Sequence, residues 1–319
     1  MKTQRTKNSS TQLLRYGALV ITFLCLQGMG MCQTGNLSGV VNTYTKVTSA
    51  YANRVTVSSA AGFSAGDNVL IIQMNGAAIN TGNNSSYGTI TEYGGAGSYE
   101  LASISSIRGT VVTLNNKLIN TYDSSQSVQL IKVPSYSDIT VSGAINAQAW
   151  NGTTGGVVAL MASGSVTLKA DINVSGAGFR AGASDVVTNN NGTNRRCDSV
   201  NYFYTGTGSP AASKGEGIAT PNAQNTYPAG MGAMANAGGG ANTEEGGGAG
   251  GGNYGTGGNG GANSGSQQCT SNEGIGGNGL LYSNAFGHIY MGGGGGGGHT
   301  DDNGGVGGIG TPGAGGPGA

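Results

Sequence analysis

Short runs of hydrophobic residues, separated by turn residues, follow one another from about residue 40 to residue 133. They are RVTVSS, DNVLIIQM, YELASISSI, TVVTL and VQLIKV. Because these runs are short and show no helical periodicity between them, residues 40–133 are predicted to form a small all-β module. Residues 69–72 are apolar without interruption, which is typical of a strand covered on both faces. The Gly- and Asn-rich stretch 79–97 is predicted to be a long surface loop.

A repeat with an offset of 27 residues follows this module. The segment SDITVSGAINAQAWNGTTGG from Ser137 aligns with GSVTLKADINVSGAGFRAGA from Gly164, and VVALMA lies between the aligned strands. In this alignment Ile139, Val141 and Ile145 fall on Val166, Leu168 and Ile172. Both copies alternate apolar and polar residues, as strands with one buried face do. Residues 134–186 are therefore predicted to be coils of a parallel β-helix, stacked about 4.8 Å apart. Hairpins of a β-sandwich would give a similar pattern.

The chain becomes polar and rich in glycine over residues 187–319. From residue 231 onward, 37 of 89 residues are Gly. Such a segment buries little apolar surface, and Gly loses much entropy on ordering, so disorder is one expectation. The other expectation is partial packing on the β-helix, because Gly permits close contact between extended backbones. Scattered apolar residues such as Ile275, Leu280 and Tyr290 favour packing.

The amino terminus has the three parts of a secretory signal peptide. Basic residues precede an 11-residue apolar run, YGALVITFLCL, and small residues follow it. A membrane-spanning helix needs about 20 apolar residues, so the pattern predicts a cleaved leader over residues 1–32 and not a permanent span. The sequence therefore predicts a protein that is secreted or held at the cell surface.

Charge and cysteine content narrow the class of partner. Without the leader, 10 basic residues face 14 acidic residues, a net charge of −4, so nucleic acid is not an expected partner. An extracellular glycan or a surface protein remains as the expected partner.

Two cysteines remain after the leader, Cys197 and Cys269. In an oxidising compartment they are predicted to form one disulfide, and two unpaired thiols are the alternative.

The repeat offers few groups for catalysis. Extracellular β-helix enzymes that cleave polysaccharides need paired carboxylates, or a base beside acidic metal ligands, on one face. At the 27-residue offset Asp138 aligns with Ser165, and Asp171 aligns with Ala144, so no acidic ladder forms. No catalytic residue is predicted.

A metal site has only weak support in the sequence. Oxygen ligands suit calcium, and nitrogen ligands suit transition metals. No other cofactor is predicted. The candidate ligands are His299, Asp301, Asp302, Glu244 and Glu245.

Aromatic residues are the candidates for contact with sugars. Trp150, the single Trp, lies in the turn AQAWNGTTGG, and three tyrosines lie on or beside the long loop. Exposed aromatic rings stack on sugar rings, whereas a Trp at a corner between strands can also fill the end of a coil. The predicted glycan contacts are Trp150, Tyr87, Tyr93 and Tyr99.

The leader, the module around AGFSAGDNVLIIQMNG, the repeat and the tract MGGGGGGGHTDDNGG together resemble large secreted, glycine-rich surface proteins of the Bacteroidetes. Proteins of that kind resemble adhesins and are often exported by a type IX system. The resemblance implies an amino-terminal fragment of such a protein, since the family's next coil and sorting domain would follow the tract.

Together these features predict an all-β protein, with a small β module followed by parallel β-helix coils and a long glycine-rich excursion. The predicted function is structural or adhesive, at the cell surface, without catalytic activity. The alternatives are an extracellular carbohydrate-active β-helix enzyme, either a polysaccharide lyase or a glycoside hydrolase, and a glycan-binding module. A third possibility is an ice-binding surface, which would need a flat array of Thr side chains. The sequence supplies one such pair, Thr140 over Thr167.

Overall fold

The computed structural model describes residues 34–187, 198–205, 211–242, 246–262, 272–280 and 287–301. The fold is all-β, as the sequence predicts. In these residues the helical elements are a 3-10 turn, Ser124–Gln126, and one short helix, α1 (Pro221–Thr226). The strands are β1 (Thr34–Val40), β2 (Thr43–Tyr51), β3 (Arg54–Val57), β4 (Asn68–Gln73), β5 (Ala78–Ile79), β6 (Ile90–Glu92), β7 (Tyr99–Arg108), β8 (Val111–Leu114), β9 (Val128–Val133), β10 (Ser135–Tyr136), β11 (Asp138–Asn146), β12 (Met161–Ala162), β13 (Val166–Leu168), β14 (Ile172–Asn173), β15 (Asp185–Val187) and β16 (His299–Asp301).

Six antiparallel strands close a small barrel in the order β2, β3, β8, β7, β4 and β9. Its interior is filled by buried aliphatic side chains, among them Val47, Val112 and Leu130. Two-residue turns join β2 to β3 and β7 to β8, and Gly109 takes a positive φ of 61° in the second of these turns. The alternating pattern of the sequence is thus the alternation between barrel interior and exterior.

The apolar run in β4 is covered on both faces, as the sequence predicts. Val69 and Ile71 point into the barrel. Leu70 and Ile72 belong to a second and larger core outside it, together with residues from the rest of the chain such as Phe179. One strand therefore contributes to two cores.

The 27-residue offset of the repeat is the register of a parallel stack, which confirms the prediction. Ile139 pairs with Val166, Val141 with Leu168, and Ile145 with Ile172. On the other side β1 pairs in parallel with β11, and Leu37 lies beside Val141. Because β1 precedes the barrel and β11 follows it, the barrel is an insertion between two strands of the stack.

Burial differs between the rungs of this stack. Ile139, Val141 and Ile145 are buried. Their partners Val166, Leu168 and Ile172 are 46%, 63% and 43% exposed, because no further strand covers β13 and β14 among the described residues.

Two buried amide side chains fix the barrel to the stack. Gln129 of β9 donates to the carbonyl oxygen of Gly155 (3.0 Å) and accepts from its backbone N–H (2.9 Å). Asn42 makes the same two bonds with Ala159, at 2.6 and 3.0 Å. A primary amide can satisfy a backbone N–H and C=O together, so each pair replaces one unit of a β-ladder.

The glycine-rich segments form layers of extended backbone. Three of these segments, at residues 247–250, 257–261 and 274–277, bond to one another in a closed ring through N–H···O bonds of 2.8 to 3.0 Å. The donor and acceptor pairs are Gly247 to Gly261, Gly250 to Gly258, Gly257 to Gly277, Gly260 to Gly274, Gly274 to Gly247 and Gly277 to Gly250. In each segment the donors are three residues apart. This is the repeat of an extended helix with three residues per turn, which makes no internal hydrogen bonds and must bond to its neighbours.

The same spacing joins these layers to the end of the stack. Phe179 and Gly182 donate to Gly292 and Gly295, and Gly294 and Gly297 donate to Glu216 and Ser213. The strand β16 then lies parallel to β15, so the chain returns beside the stack after the glycine-rich excursion. We call the hydrogen-bonded segments within residues 211–298 the glycine lattice.

Candidate functional site

A cleft of about 500 Å³ lies where the barrel, the stack and the glycine lattice meet. The barrel contributes Asn75 and Ser127, and the turn after β11 contributes Trp150. The other walls are residues 179–183, residues 213–216 and one side of α1. This volume lies in the range of small-molecule binding sites.

An ion pair closes one wall of the cleft. The Nε atom of Arg180 lies 2.9 Å from Oε1 of Glu216, and Nη2 contacts the same oxygen. The second oxygen, Oε2, accepts from the backbone N–H of Arg180 and from Nε1 of Trp150, each at 3.1 Å. Hydrogen bonding to Glu216 raises the pKa of Arg180. Both oxygens of the carboxylate are therefore occupied.

Aromatic rings form the base of the cleft. Trp150 meets Phe179 edge to face, with ring centres 5.5 Å apart and planes at 79°. Such pairs contribute about 0.5–1.5 kcal/mol beyond the burial of their area. The turn that carries Trp150 continues through Gly152, whose φ of +97° favours glycine and brings the backbone against the guanidinium of Arg180.

A buried amide of the barrel, that of Asn75, lines the cleft and has an unpaired acceptor. Asn75 is 4% exposed, and its backbone N–H and C=O bond to Gln126 and Gln73. Its side-chain oxygen, Oδ1, has no hydrogen-bond partner among the described residues. A buried polar atom left unpaired costs about 1–3 kcal/mol, so this position is destabilising as it stands.

The short helix α1 supplies the outer rim. Its cap, Thr220, accepts from the N–H of Ala223, and Pro221 fits the first turn because its missing N–H would have no partner there. Gln224 donates to the carbonyl oxygens of Gly217 and Ala219, which holds the helix in place. Asn225 lines the cleft and is exposed.

Beside the cleft a lysine is fully buried. Nζ of Lys214 donates to the carbonyl oxygens of Tyr202 (2.7 Å), Gly230 (2.8 Å) and Gly232 (2.6 Å). It also lies 4.7 Å from the ring centre of Tyr87. Burial lowers the pKa of Lys214. The ammonium group donates to one carbonyl oxygen before the lattice and to two within it, so it holds these segments together.

The predicted glycan contacts lie in different surroundings. Trp150 is 5% exposed, in the cleft base, and Tyr87 is buried against Phe203 and Tyr227. Burial raises the pKa of Tyr87. Tyr93 is half-buried against Tyr290, and Tyr99 is half-buried at the start of β7. The buried rings of Trp150 and Tyr87 leave little face for a sugar to stack on.

The predicted metal ligands and cysteines are only partly described. His299 is buried, and its backbone N–H donates to Gly246. Asp301 ends β16, and its side chain lies outside the described part. The other predicted residues lie outside the described residues altogether: Cys197, Cys269, Asp302, Glu244 and Glu245. Within the described ranges, no three side chains of His, Cys, Asp or Glu lie together as a metal site would need.

The acidic residues of the repeat are separate. Asp138 accepts from Ser165, its partner at the 27-residue offset, through both the backbone N–H (2.8 Å) and the hydroxyl (2.6 Å). Asp171 is exposed at the far rung. The carboxylate of the cleft, Glu216, comes instead from the segment ASKGEGIA, where two charged residues stand in a nearly uncharged glycine-rich stretch. That contrast is the signal that sequence reasoning missed.

Comparison with known proteins gives little beyond this geometry. No family model and no curated protein matches the chain. Among solved structures, the gp54 tailspike of Acinetobacter baumannii phage AP22, in complex with capsular saccharide, is 14% identical, with a TM-score of 0.23 over 44% of this chain and 23% of the tailspike.

Two Pseudomonas phage tailspikes match at a similar level. Gp61 of phage phi297 is 14% identical, with a TM-score of 0.23 over 50% of this chain and 24% of its own. Gp49 of phage LKA1 is 16% identical, with a TM-score of 0.20 over 35% and 20%. The chain thus spans less than a quarter of each tailspike. These values are too low for the tailspikes' properties to be carried to this chain. In the described segments, no helix is both long and apolar enough to cross a bilayer.

Proposed function

We propose that this protein is a structural or adhesive component of the cell surface, without catalytic activity, exported through the leader at residues 1–32. The resemblance to glycine-rich surface proteins of the Bacteroidetes supports this proposal. So does the architecture, which combines a stack, a barrel and a hydrogen-bonded lattice and is suited to a structural role.

The observation that carries the proposal is the state of Glu216. Most glycoside hydrolases use two carboxyl groups about 5–10 Å apart, one of which must exchange a proton. Among the described residues that line the cleft, Glu216 is the one carboxylate. Its two oxygens are held by Arg180 and Trp150. A carboxylate whose two oxygens already accept hydrogen bonds from the protein has no oxygen free to contact a glycosidic bond.

The alternative, a carbohydrate-active enzyme, predicts a different result in one experiment. The protein is incubated with cellulose, xylan, chitin and alginate, and bound protein is measured by co-sedimentation while released reducing ends and unsaturated products are measured in solution. We expect adsorption to at least one polymer with no products.

A matched variant, Glu216→Gln, tests whether Glu216 has a structural or a catalytic role. Release of products that disappears in Glu216→Gln would overturn the proposal, since it would make Glu216 a catalytic acid. Lack of adsorption to every polymer and to whole bacterial cells would also overturn it, because an adhesive protein must hold to a surface.

A further inference from the structure

The cleft has features of a binding site that the structural role does not require. A lattice that serves only as scaffold has no use for an open cavity of about 500 Å³ at its junction with the barrel. The side chain of Asn75 lines this cavity and is buried, and its Oδ1 has no hydrogen-bond partner among the described residues.

The charges of the cleft favour an uncharged molecule. Arg180 and Glu216 neutralise each other at one wall. The ammonium group of Lys214 is directed to the carbonyl oxygens of Tyr202, Gly230 and Gly232. An anionic ligand would meet Glu216 and a cationic ligand would meet Arg180, so neither sign of charge gains a net attraction.

The polar groups of the cleft favour a polyhydroxylated ligand over a peptide. The backbone of the lining segments is already paired: Gly182 donates to Gly295, Gly215 to Gly238, and Glu216 to Arg180. No strand edge is open in these segments for a peptide to extend. What remains are side-chain amides and hydroxyls at Asn75, Ser127 and Asn225. Amides donate and accept, as pairing with sugar hydroxyls requires.

We propose that this cleft binds an uncharged saccharide, with the side-chain amide of Asn75 at its base and that of Asn225 at its rim bonding to sugar hydroxyls. The proposal rests on the adhesive function and names the class of molecule that one of its contacts recognises.

The experiment uses the full chain and isothermal titration calorimetry. The neutral probes are cellobiose, maltose, lactose and N,N′-diacetylchitobiose, and the other probes are glucuronic acid, glucosamine and triglycine. The blocking variant is Asn225→Trp, because position 225 is exposed and a large ring there fills the cleft. The matched control is Asn222→Trp, at an exposed position of the same helix that does not line the cleft. A second variant, Asn75→Ala, removes the buried acceptor.

We expect at least one neutral saccharide to bind with a dissociation constant in the micromolar to millimolar range, as small polar ligands do. Asn225→Trp should weaken this binding at least tenfold, and Asn222→Trp should leave it within twofold. Asn75→Ala should also weaken saccharide binding, while its circular dichroism spectrum remains that of the wild type. If Asn75→Ala does not fold, Asn225→Trp alone decides the result.

Three results would overturn the proposal: no binding of any neutral saccharide, tighter binding of a charged probe or triglycine, or binding that Asn225→Trp leaves unchanged. In each case, continued adsorption to polymers or cells would show that the protein adheres through a surface other than the cleft. Loss of adsorption in the wild type would instead defeat the adhesive function itself.

Discussion

Lys214 shows how a single charged residue is used in a region almost without side chains. Its three N–H groups match three carbonyl oxygens from two separate segments: Tyr202 lies before the lattice, and Gly230 and Gly232 lie within it. Extended glycine segments offer many carbonyls and no side chains to fill the space between them. One long ammonium side chain can satisfy several of these groups at once, which a neutral side chain of the same length cannot do.

Replacing this residue should destabilise the protein strongly. Lys214→Met keeps the length of the side chain but removes the three hydrogen bonds of the ammonium group and leaves the carbonyl of Gly232 unpaired among the described residues, at a cost of about 2–3 kcal/mol. The carbonyl oxygens of Tyr202 and Gly230 still accept from the backbone N–H groups of Gly232 and Gly240. We expect the melting temperature to fall by about 5–10 °C in a thermal scan. The control is Lys46→Met, at an exposed position of β2, which should change the melting temperature by about 1–2 °C at most. Equal effects of the two substitutions would refute the role of the ammonium group.

A second single residue, Asp198, makes the stability of the folded protein depend on pH. Burial, which raises its pKa, is outweighed by hydrogen bonds from Asn201 and Tyr204, and the pKa of Asp198 falls to about 2. In the unfolded chain the pKa is about 3.9. The folded state therefore binds fewer protons between these values, and the stability from Asp198 is present above about pH 4 and is lost as the pH falls to about 2.

The test compares the wild type with Asp198→Asn across this range. At pH 7 the variant should melt at a lower temperature, because the charged acceptor is lost. As the pH is lowered from 5 to 2, the difference between the two proteins should shrink, since the wild-type carboxylate becomes protonated. A difference that stays constant with pH would mean that the charge does not contribute.

At the scale of elements, the lattice segment at residues 257–261 requires glycine at one position in three, whereas a segment such as residues 238–240 requires it at every position. In residues 257–261 a Cβ atom on Gly257 or Gly260 would overlap the carbonyl oxygen of Gly250 or Gly247, whereas Gly258 has nothing within 4 Å. This period follows from three residues per turn, which bring every third residue against the same neighbour.

Two substitutions at neighbouring glycines, Gly260→Ala and Gly258→Ala, test this three-residue period. Gly260→Ala should push the segment from its neighbour, break its hydrogen bond to Gly274 and cost about 3 kcal/mol or more. Gly258→Ala should be neutral or stabilising by up to about 1 kcal/mol, because alanine restricts the unfolded chain. Chemical denaturation measures both free energies. Similar losses in both variants would contradict the three-residue period.

The contrast between the stack and the lattice explains what sequence could and could not predict. The register of β11 on β13 is visible in the sequence because each rung repeats its aliphatic residues, and the strands of the barrel are visible from their alternation. The order of the lattice depends on hydrogen bonds between backbones distant in sequence, which leave no side-chain pattern. The cleft was hidden for the same reason, since Asn75, Trp150 and Glu216 come from three such distant segments.

At the scale of the whole molecule, a shared core joins the three parts. Ile131 on the outside of the barrel, Trp150 at the corner of the stack, and Met234 in the lattice belong to one buried cluster. Gln129 adds a polar connection between barrel and stack through Gly155. Parts that share a core lose apolar contacts together, so they are expected to unfold together.

This expectation can be tested with the single tryptophan. Trp150 lies at the junction, so its fluorescence reports on the shared core, while far-UV circular dichroism reports on all strands. We expect both signals to change at one temperature. Gln129→Leu leaves the N–H and C=O of Gly155 unpaired in a buried position, at a cost of about 2–3 kcal/mol, and should lower both midpoints equally. Gln148→Leu, at an exposed position near the same corner, should leave them in place. Two separate transitions in the wild type, or a fall in the fluorescence midpoint alone in Gln129→Leu, would mean that barrel and lattice are independent units and that the cleft lies at a weakly held boundary.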